Sequence, residues 1–319
     1  PSRFIMHISF GSRRALAAFS TLLLALFAGC LADKKGGDFA VVATTGHIND
    51  ALRTITDGTP IELTSLCGPG VDPHSYSAST ADVQAMEAAS LIVYNGFHLE
   101  AQLDTLLKGN FKDRAWSMAS AFPQQDRIDW VEDGEVDPAA PYDPHIWNNL
   151  PGWAACVEGL TERLCQANAA HAEQYRANGA AYAAKIRAAH EDAKAKLAEI
   201  PEARRFLVSG HDAFNYFARA YGLDTVAVLG VGNDQEADIK AISEVAETIA
   251  SRKVPVIFME SLTNPKITQA LKEATAGRGW KVEIASERLY SDDLGDAAPQ
   301  DTYLGAFRSN VEVILAALR

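Results

Sequence analysis

The chain has 319 residues, of which 48% are hydrophobic and 22% charged. This length and composition exclude a disordered or fibrous chain and allow two hydrophobic cores. Lys and Arg total 29 against 41 Asp and Glu, and the formal net charge of -12 argues against a nucleic-acid-binding protein, whose surface is basic. An acidic protein suits a cationic ligand, although many soluble proteins are acidic simply to stay soluble.

The N-terminal segment predicts export. Three arginines precede a largely apolar run over residues 15–28, which is shorter than the ~20 residues that a helix needs to span a bilayer core. The small residues directly before Cys30 resemble a bacterial lipobox, in which the cysteine receives a lipid. We therefore expect a signal peptide with a lipobox-like end over residues 1–30, lipidation at Cys30 and a tether over residues 31–37.

The remaining cysteines, Cys67, Cys156 and Cys165, are odd in number and cannot all pair within the chain. On one helix, Cys156 and Cys165 would lie roughly 13 Å apart, beyond the reach of a disulfide. The sequence contains no CxxC spacing, so a thiolate zinc site is not indicated. We expect all three to be buried as small hydrophobic residues.

Strand-like and helix-like segments alternate along both halves of the chain, a pattern typical of βαβ units around parallel sheets. In the first half, the pattern predicts strands at 39–44, 61–66 and 91–94, and helices at 48–55, 81–89 and 99–107. In the second half, it predicts strands at 205–209, 225–229, 254–259 and 281–284, and helices at 213–220, 239–250 and 265–274.

A long amphipathic helix is predicted between the halves, from about His171 to Glu199. At 1.5 Å per residue it would run roughly 45 Å, enough to join two lobes. Its alternative interpretation is a helix packed inside one large domain. We expect an N-terminal α/β lobe over 38–168, a bridging helix over 169–200 and a C-terminal α/β lobe over 201–319.

Two of the eight histidines occupy matching sequence contexts. The segments DPHSY at 72–76 and DPHIW at 143–147 each contain DPH followed by an aromatic residue. The proline fixes the backbone, and the aspartate could accept the second ring N–H, as metal-ligating histidines commonly require. A lone loop histidine is more often a solvated bystander, but the duplicated context predicts that His74 and His145 are paired ligands.

His211 follows the predicted strand at 205–209 after one glycine, at the end of a parallel sheet where ligands gather. Its alternative interpretation is a helix-start residue beside a capping Asp212. Asp292 and Asp293 lie in a polar loop after the last predicted strand, and alone they would indicate a solvated turn. Three histidines with one carboxylate, however, supply four side chains of the kind that bind a divalent transition metal.

At these residues the sequence resembles the TroA-like family of zinc- and manganese-binding proteins that deliver metal to ABC transporters. The resemblance covers essentially the whole chain after the signal segment. It is carried by the segments VVATTGHINDAL, SLCGPGVDPHSY, IVYNGFHLE, DPHIW, SGHDAFNYFARAYGL and LYSDDLGD. It implies an α/β fold of two lobes, each a parallel sheet flanked by helices, joined by one long bridging helix with the metal site in the cleft.

The resemblance also implies the site residues. The four metal ligands of the family match His74, His145, His211 and Asp292. A one-residue slip from Asp292 to Asp293 stays open, because the assignment depends on aligning LYSDD. Three nitrogen ligands and one carboxylate favour zinc over manganese as cargo, although the chain lacks the histidine-rich insertion of many zinc-specific members.

Other candidate residues receive supporting or packing roles. Asp72, Asp143 and Glu260 are expected to hydrogen-bond the ligand histidines from outside the site. Tyr76 and Trp147 are expected to line the site, and His171 and His190 to be solvated on the long helix. His47 and His98 are expected to begin helices or pack, with an approach to the cleft as the alternative.

The sequence does not support catalysis. It contains no HExxH, no GxSxG and no GxxxxGK[ST], and four protein ligands would close the site, whereas a catalytic zinc keeps an open position. We expect an exported, monomeric receptor, in the periplasm or lipid-anchored at the outer face of the membrane, that delivers metal to an ABC permease and its cytoplasmic ATPase. The alternatives are a zinc-dependent hydrolase, with Glu260 as general base, and a surface adhesin with a structural metal.

Overall fold

The computed structural model describes residues 39–131, 135–138, 140–232 and 237–319. The predicted signal peptide, the predicted lipidation at Cys30 and the predicted tether fall outside these residues. In the described part of the chain, no helix is long and apolar enough to cross a membrane.

The N-terminal half is built on a four-stranded parallel sheet in the order β2-β1-β3-β4. The two central strands are almost entirely buried, which explains their apolar sequences AVVA and LIVY, since helices cover both faces of such sheets. The elements are β1 (Ala40–Ala43), α1 (Gly46–Ile55), β2 (Glu62–Ser65), α2 (Thr80–Ala88), β3 (Leu91–Tyr94), β4 (Ala115–Ser117) and α3 (Leu150–Ala167).

After the long helix α4 (Ala172–Leu197), the C-terminal half contains two parallel strand pairs, β5 with β6 and β7 with β8. Strand β5 also lies beside β7. The elements are β5 (Phe206–Ser209), α5 (Asn215–Tyr221), β6 (Asp224–Ala227), α6 (Ile239–Arg252), β7 (Val256–Glu260), α7 (Pro265–Ala276), β8 (Glu283–Leu289) and α8 (Tyr303–Leu318). The predicted fold class, parallel sheets flanked by helices with one long helix, is confirmed.

Helix α4 has 26 residues and spans about 39 Å at 1.5 Å per residue. It packs against α1 and α3 of the N-terminal half and against α5 and α8 of the C-terminal half. Gly179 lets it approach α3 closely, because a Cβ at that position would collide with the side chain of Thr161. The helix thus contacts both halves. The lobe boundaries at 168 and 200 stay a prediction.

Two features of the first half differ from the sequence prediction. The segment predicted as a helix at 99–107 forms a 3-10 turn at Ala101–Leu103 and a π turn at Leu106–Asn110. Three consecutive residues with positive φ, Gly96 to His98, turn the chain just before it, which prevents a regular helix from starting there. Strand β4 was not predicted, because an edge strand of three residues carries little pattern.

Helix α8 was not among the elements predicted from the sequence.

Cys67, Cys156 and Cys165 are free and buried, as expected from the sequence. Short 3-10 turns connect the main elements at Met118–Ser120, Gln124–Asp126, Ile146–Asn148, Ala169–His171 and Glu202–Arg204.

Candidate metal centre

Four predicted side chains converge at one point between the two halves. One ligand-type atom from each of them lies within 4.8 Å of the others. Nε2 of His145 and Nε2 of His74 are 3.4 and 3.9 Å from Oδ1 of Asp292, and Nε2 of His211 is 2.9 Å from its Oδ2. Two of the four come from the N-terminal half and two from the C-terminal half.

The first DPH loop, between β2 and α2, positions His74. Asp72 accepts hydrogen bonds from the backbone N–H of His74 at 3.0 Å and from the hydroxyl of Ser75 at 3.1 Å. Asp72 therefore stabilises the turn through the backbone, whereas the sequence predicted that it accepts a hydrogen bond from the His74 ring. The His74 side chain is 8% exposed, whereas those of the other three residues are 0% exposed.

The second DPH loop, just before α3, positions His145. Asp143 accepts from the backbone N–H of His145 at 2.9 Å, and its Oδ1 lies 2.8 Å from Nδ1 of the ring. This contact fixes the ring so that Nε2 faces Asp292. The ring of Trp147 packs edge-on against the His145 ring at 5.4 Å, so Trp147 lines the site as predicted.

His211 lies in the loop after β5, and Glu260 at the end of the neighbouring β7 supports it. Oε1 of Glu260 accepts from the backbone N–H groups of Gly210 and His211, and its Oε2 lies 2.5 Å from Nδ1 of His211. A side chain at position 210 would collide with Thr263. Glycine therefore lets the loop approach β7 closely.

Electrostatics couple His211 to Asp292. Burial disfavours the charged form of His211, yet Asp292 and Glu260 raise its pKa well above the ordinary range. Burial likewise disfavours the ionised form of Asp292, but the His211 imidazole lowers its pKa well below the ordinary range. The buried centre is therefore built around an ionised carboxylate, which suits a cation.

Asp293 has a different role from its neighbour. It accepts hydrogen bonds from the hydroxyl of Ser261 at 2.5 Å and from the backbone N–H of Gly70 at 2.9 Å. Asp292, not Asp293, faces the three imidazoles; that Asp292 is the metal ligand stays a prediction.

A buried aromatic layer behind His145 was not anticipated in full. The His47 ring stacks on Trp147 with centroids 4.7 Å apart and meets Tyr303 edge-on at 6.0 Å. The Tyr303 hydroxyl donates to the Trp147 carbonyl at 2.6 Å, and the Trp147 indole N–H donates to the Ser291 carbonyl at 2.7 Å. His47 packs at the start of α1 as predicted, but only tertiary structure reveals that its partner is Trp147.

Three peripheral expectations have separate outcomes. His98 lies 3.2 Å from Asp104, outside the cluster. His190 is not simply solvated, because its ring contacts the Tyr221 hydroxyl at 3.1 Å and its side chain is 16% exposed. Tyr76 donates to Asp82 at 2.7 Å and packs against the apolar cluster around Met86; its assignment as a wall of the site stays a prediction.

A cavity of about 280 Å³ adjoins the centre on the His74 side. Aromatic residues line much of it, and it reaches from the first half to the start of the loop after β6. Its walls include His74, Phe97, Trp130, Tyr142 and Val231.

The fold and this centre define a metal-binding protein of the class that presents substrates to ABC transporters. The chain belongs to the family described as "ZnuA: Zinc-uptake complex component A periplasmic", whose sequence model matches residues 41–317. This is a family of transport proteins and not of enzymes.

Two relatives whose names refer to different metals have similar sequence identity to this chain. The zinc-binding protein TroA of Treponema pallidum is 36% identical over 280 residues, covering 87% of this chain and 88% of that protein. The manganese-binding lipoprotein MntA of Bacillus subtilis is 33% identical over 309 residues, covering 94% and 98%. The solved structure of the Treponema pallidum protein superposes with a TM-score of 0.82 at 35% identity, covering 88% of this chain and 99% of that one.

Proposed function

We propose that this protein captures one divalent transition-metal ion, zinc in preference to manganese, and delivers it to the permease of an ABC importer. The ligands are His74, His145, His211 and Asp292. The observation that carries this proposal is the convergence of their ligand atoms within 4.8 Å. Zinc–nitrogen and zinc–oxygen bonds of ~2.0–2.2 Å would bring four such atoms around one ion after small side-chain shifts.

The donor set supports zinc over manganese. Imidazole nitrogen suits zinc, whereas manganese favours sites richer in oxygen. Three of the four ligands here are imidazoles. Because relatives of similar identity carry zinc in one case and manganese in the other in their names, the cargo has to be decided by direct competition.

Neighbouring carboxylates support the ligand histidines. Asp143 and Glu260 each lie within hydrogen-bond distance of Nδ1 of a ligand ring, which leaves Nε2 of His145 and of His211 for the ion and makes each ring a stronger donor. Asp72 acts through the backbone of its loop.

With this role we propose that the protein acts as a monomer outside the cytoplasm, held at the membrane by a lipid on Cys30 or free in the periplasm. Its proposed partners are a permease and a cytoplasmic ATPase. A surface adhesin with a structural metal would share the centre. Metal-dependent binding to a detergent-solubilised permease distinguishes the transport receptor from the adhesin, because an adhesin is not expected to bind the permease.

The cargo is tested by metal analysis of protein purified without added metal, followed by zinc and manganese competition at fixed pH. Tight binding of one ion per chain, stronger for zinc than for manganese, is expected. A stoichiometry below one ion per chain, or stronger binding of manganese in the same buffer, would overturn the proposal as stated.

A further inference from the structure

The two DPH loops are joined to the C-terminal half by different contacts. The His145 loop is held by a network of direct hydrogen bonds, four from a side chain to a backbone carbonyl and one between two side chains. These bonds are Tyr216 to the Asp143 carbonyl, Asn215 to the Asp143 carboxylate, Asn148 to the Ala213 carbonyl, Trp147 to the Ser291 carbonyl and Tyr303 to the Trp147 carbonyl. His145 therefore sits in a loop fixed to both halves.

The loop of His74 reaches the C-terminal half through Asp293. The backbone N–H of Gly70 donates to Oδ2 of Asp293, and the Ser261 hydroxyl donates to Oδ1. Each carboxylate oxygen thus has its own donor, one from each half of the molecule. Gly70 has a φ of +78°, a conformation that glycine adopts without strain.

The His74 side of the centre is the side on which an ion could move between the centre and the adjoining cavity. His74 is the one of the four side chains with measurable exposure, at 8%, and it lines the cavity of about 280 Å³. Movement of the His74 loop would open the centre towards this cavity without breaking the contacts of the His145 loop.

We propose that Asp293 is a positioning residue that holds the His74 loop closed over the bound ion and thereby sets how fast the ion is released. It acts through Gly70 and does not contact the ion. This inference rests on the proposed function, since it requires that His74 ligates metal. Under this proposal the carboxylate of Asp293, which directly follows the proposed ligand Asp292, determines how long the ion is retained.

The test must separate the hydrogen bonds of Asp293 from its charge. Asp293→Ala removes both, whereas Asp293→Asn removes the charge but keeps a carbonyl oxygen for the Gly70 N–H and an amide that can donate to Ser261. Ser261→Ala removes one supporting bond. Asp296→Ala is the matched control, because Asp296 is an exposed aspartate three residues further on.

The measurement is the dissociation rate of Zn²⁺ from the loaded full chain, followed by stopped flow into an excess of a chromophoric chelator. We expect Asp293→Ala to release Zn²⁺ about tenfold faster than the parent, the effect of one lost hydrogen bond to a charged group. Asp293→Asn and Ser261→Ala should fall between the parent and Asp293→Ala, and Asp296→Ala should match the parent.

The outcomes distinguish this inference from the proposed function. A parent that does not bind Zn²⁺ tightly overturns both. A parent that binds tightly, with Asp293→Ala releasing Zn²⁺ at the parental rate, overturns the inference alone. Equal acceleration in Asp293→Asn and Asp293→Ala also overturns it, because the effect would then come from lost negative charge. Thermal unfolding of each metal-free variant checks that the fold is retained.

Discussion

His211 and Asp292 face each other with 2.9 Å between Nε2 and Oδ2, although they follow different strands, β5 and β8. The other carboxylate oxygen of Asp292 points towards His145 and His74, at 3.4 and 3.9 Å. One carboxylate from the C-terminal half therefore faces imidazoles from both halves. A bound cation would join the halves through this group.

The first prediction concerns His145, which is fully buried and held by Asp143. An ion that binds only the folded state raises the free energy of unfolding by ~4 kcal/mol when its free concentration is a thousandfold above its dissociation constant. His145→Ala should lose most of this gain, because a zinc site with three remaining ligands binds far more weakly. Calorimetric unfolding with and without Zn²⁺ measures it.

The control for this prediction is His98→Ala. His98 lines the same cavity as His74 but pairs with Asp104 outside the centre, so its variant should keep the parental shift. An unchanged metal-induced shift in His145→Ala would remove that residue from the ligand set.

The second prediction concerns metal preference at His211. Replacing imidazole with a carboxylate in His211→Glu adds a hard oxygen donor, which should lower the zinc-to-manganese affinity ratio. The ratio is measured by competition in one buffer for the parent, His211→Glu and Asp292→Ala. If the ratio stays constant in His211→Glu while Asp292→Ala binds at parental strength, the ion is held by the N-terminal half alone.

Much of this centre could be predicted because its signals are local. The repeated DPH motif marks His74 and His145 within five-residue segments, and His211 follows a recognisable strand. Asp292, in contrast, was assigned through the family resemblance, because its polar loop alone indicates only a solvated turn. Parallel strands bring such residues to one edge of a sheet. The strand and helix alternation likewise predicted the fold class, with element ends shifted by a few residues.

The remainder depends on contacts between distant segments. Nothing near Asp293 in the sequence indicates that it accepts a hydrogen bond from Gly70, which lies 223 positions away. The same holds for Trp147 and Ser291, at a separation of 144. Asp72 and Asp143 share a motif, yet in the described contacts only Asp143 lies within hydrogen-bond distance of the histidine ring of its own motif, because the tertiary surroundings of the two loops differ.

The third prediction concerns the membrane anchor. A lipid on Cys30 would hold the protein at the membrane, so Cys30→Ser, which has no thiol to receive the lipid, should move it to the soluble fraction. Cell fractionation followed by immunodetection measures the shift. Membrane retention of Cys30→Ser at the parental level would contradict lipidation as the means of attachment.

The last prediction concerns the pH dependence of stability through His47. Burial lowers the pKa of His47 from 6.5 to about 4, so the folded protein holds this ring neutral while the unfolded chain protonates it below 6.5. Uptake of this proton by the unfolded chain lowers the free energy of unfolding. The free energy of unfolding is therefore unaffected by His47 well above pH 6.5 and falls as the pH decreases towards 4. At pH 5 the loss amounts to about 2 kcal/mol.

His47→Phe cannot be protonated and keeps an aromatic ring against Trp147, so it should not incur this loss. Urea unfolding of the metal-free parent and variant at about pH 7.5 and about pH 5 measures the difference. Comparison in the same buffers cancels the contributions of the other histidines, which both proteins share. Equal losses of stability in the two proteins would show that the His47 ring is protonated as readily in the folded state as in the unfolded chain.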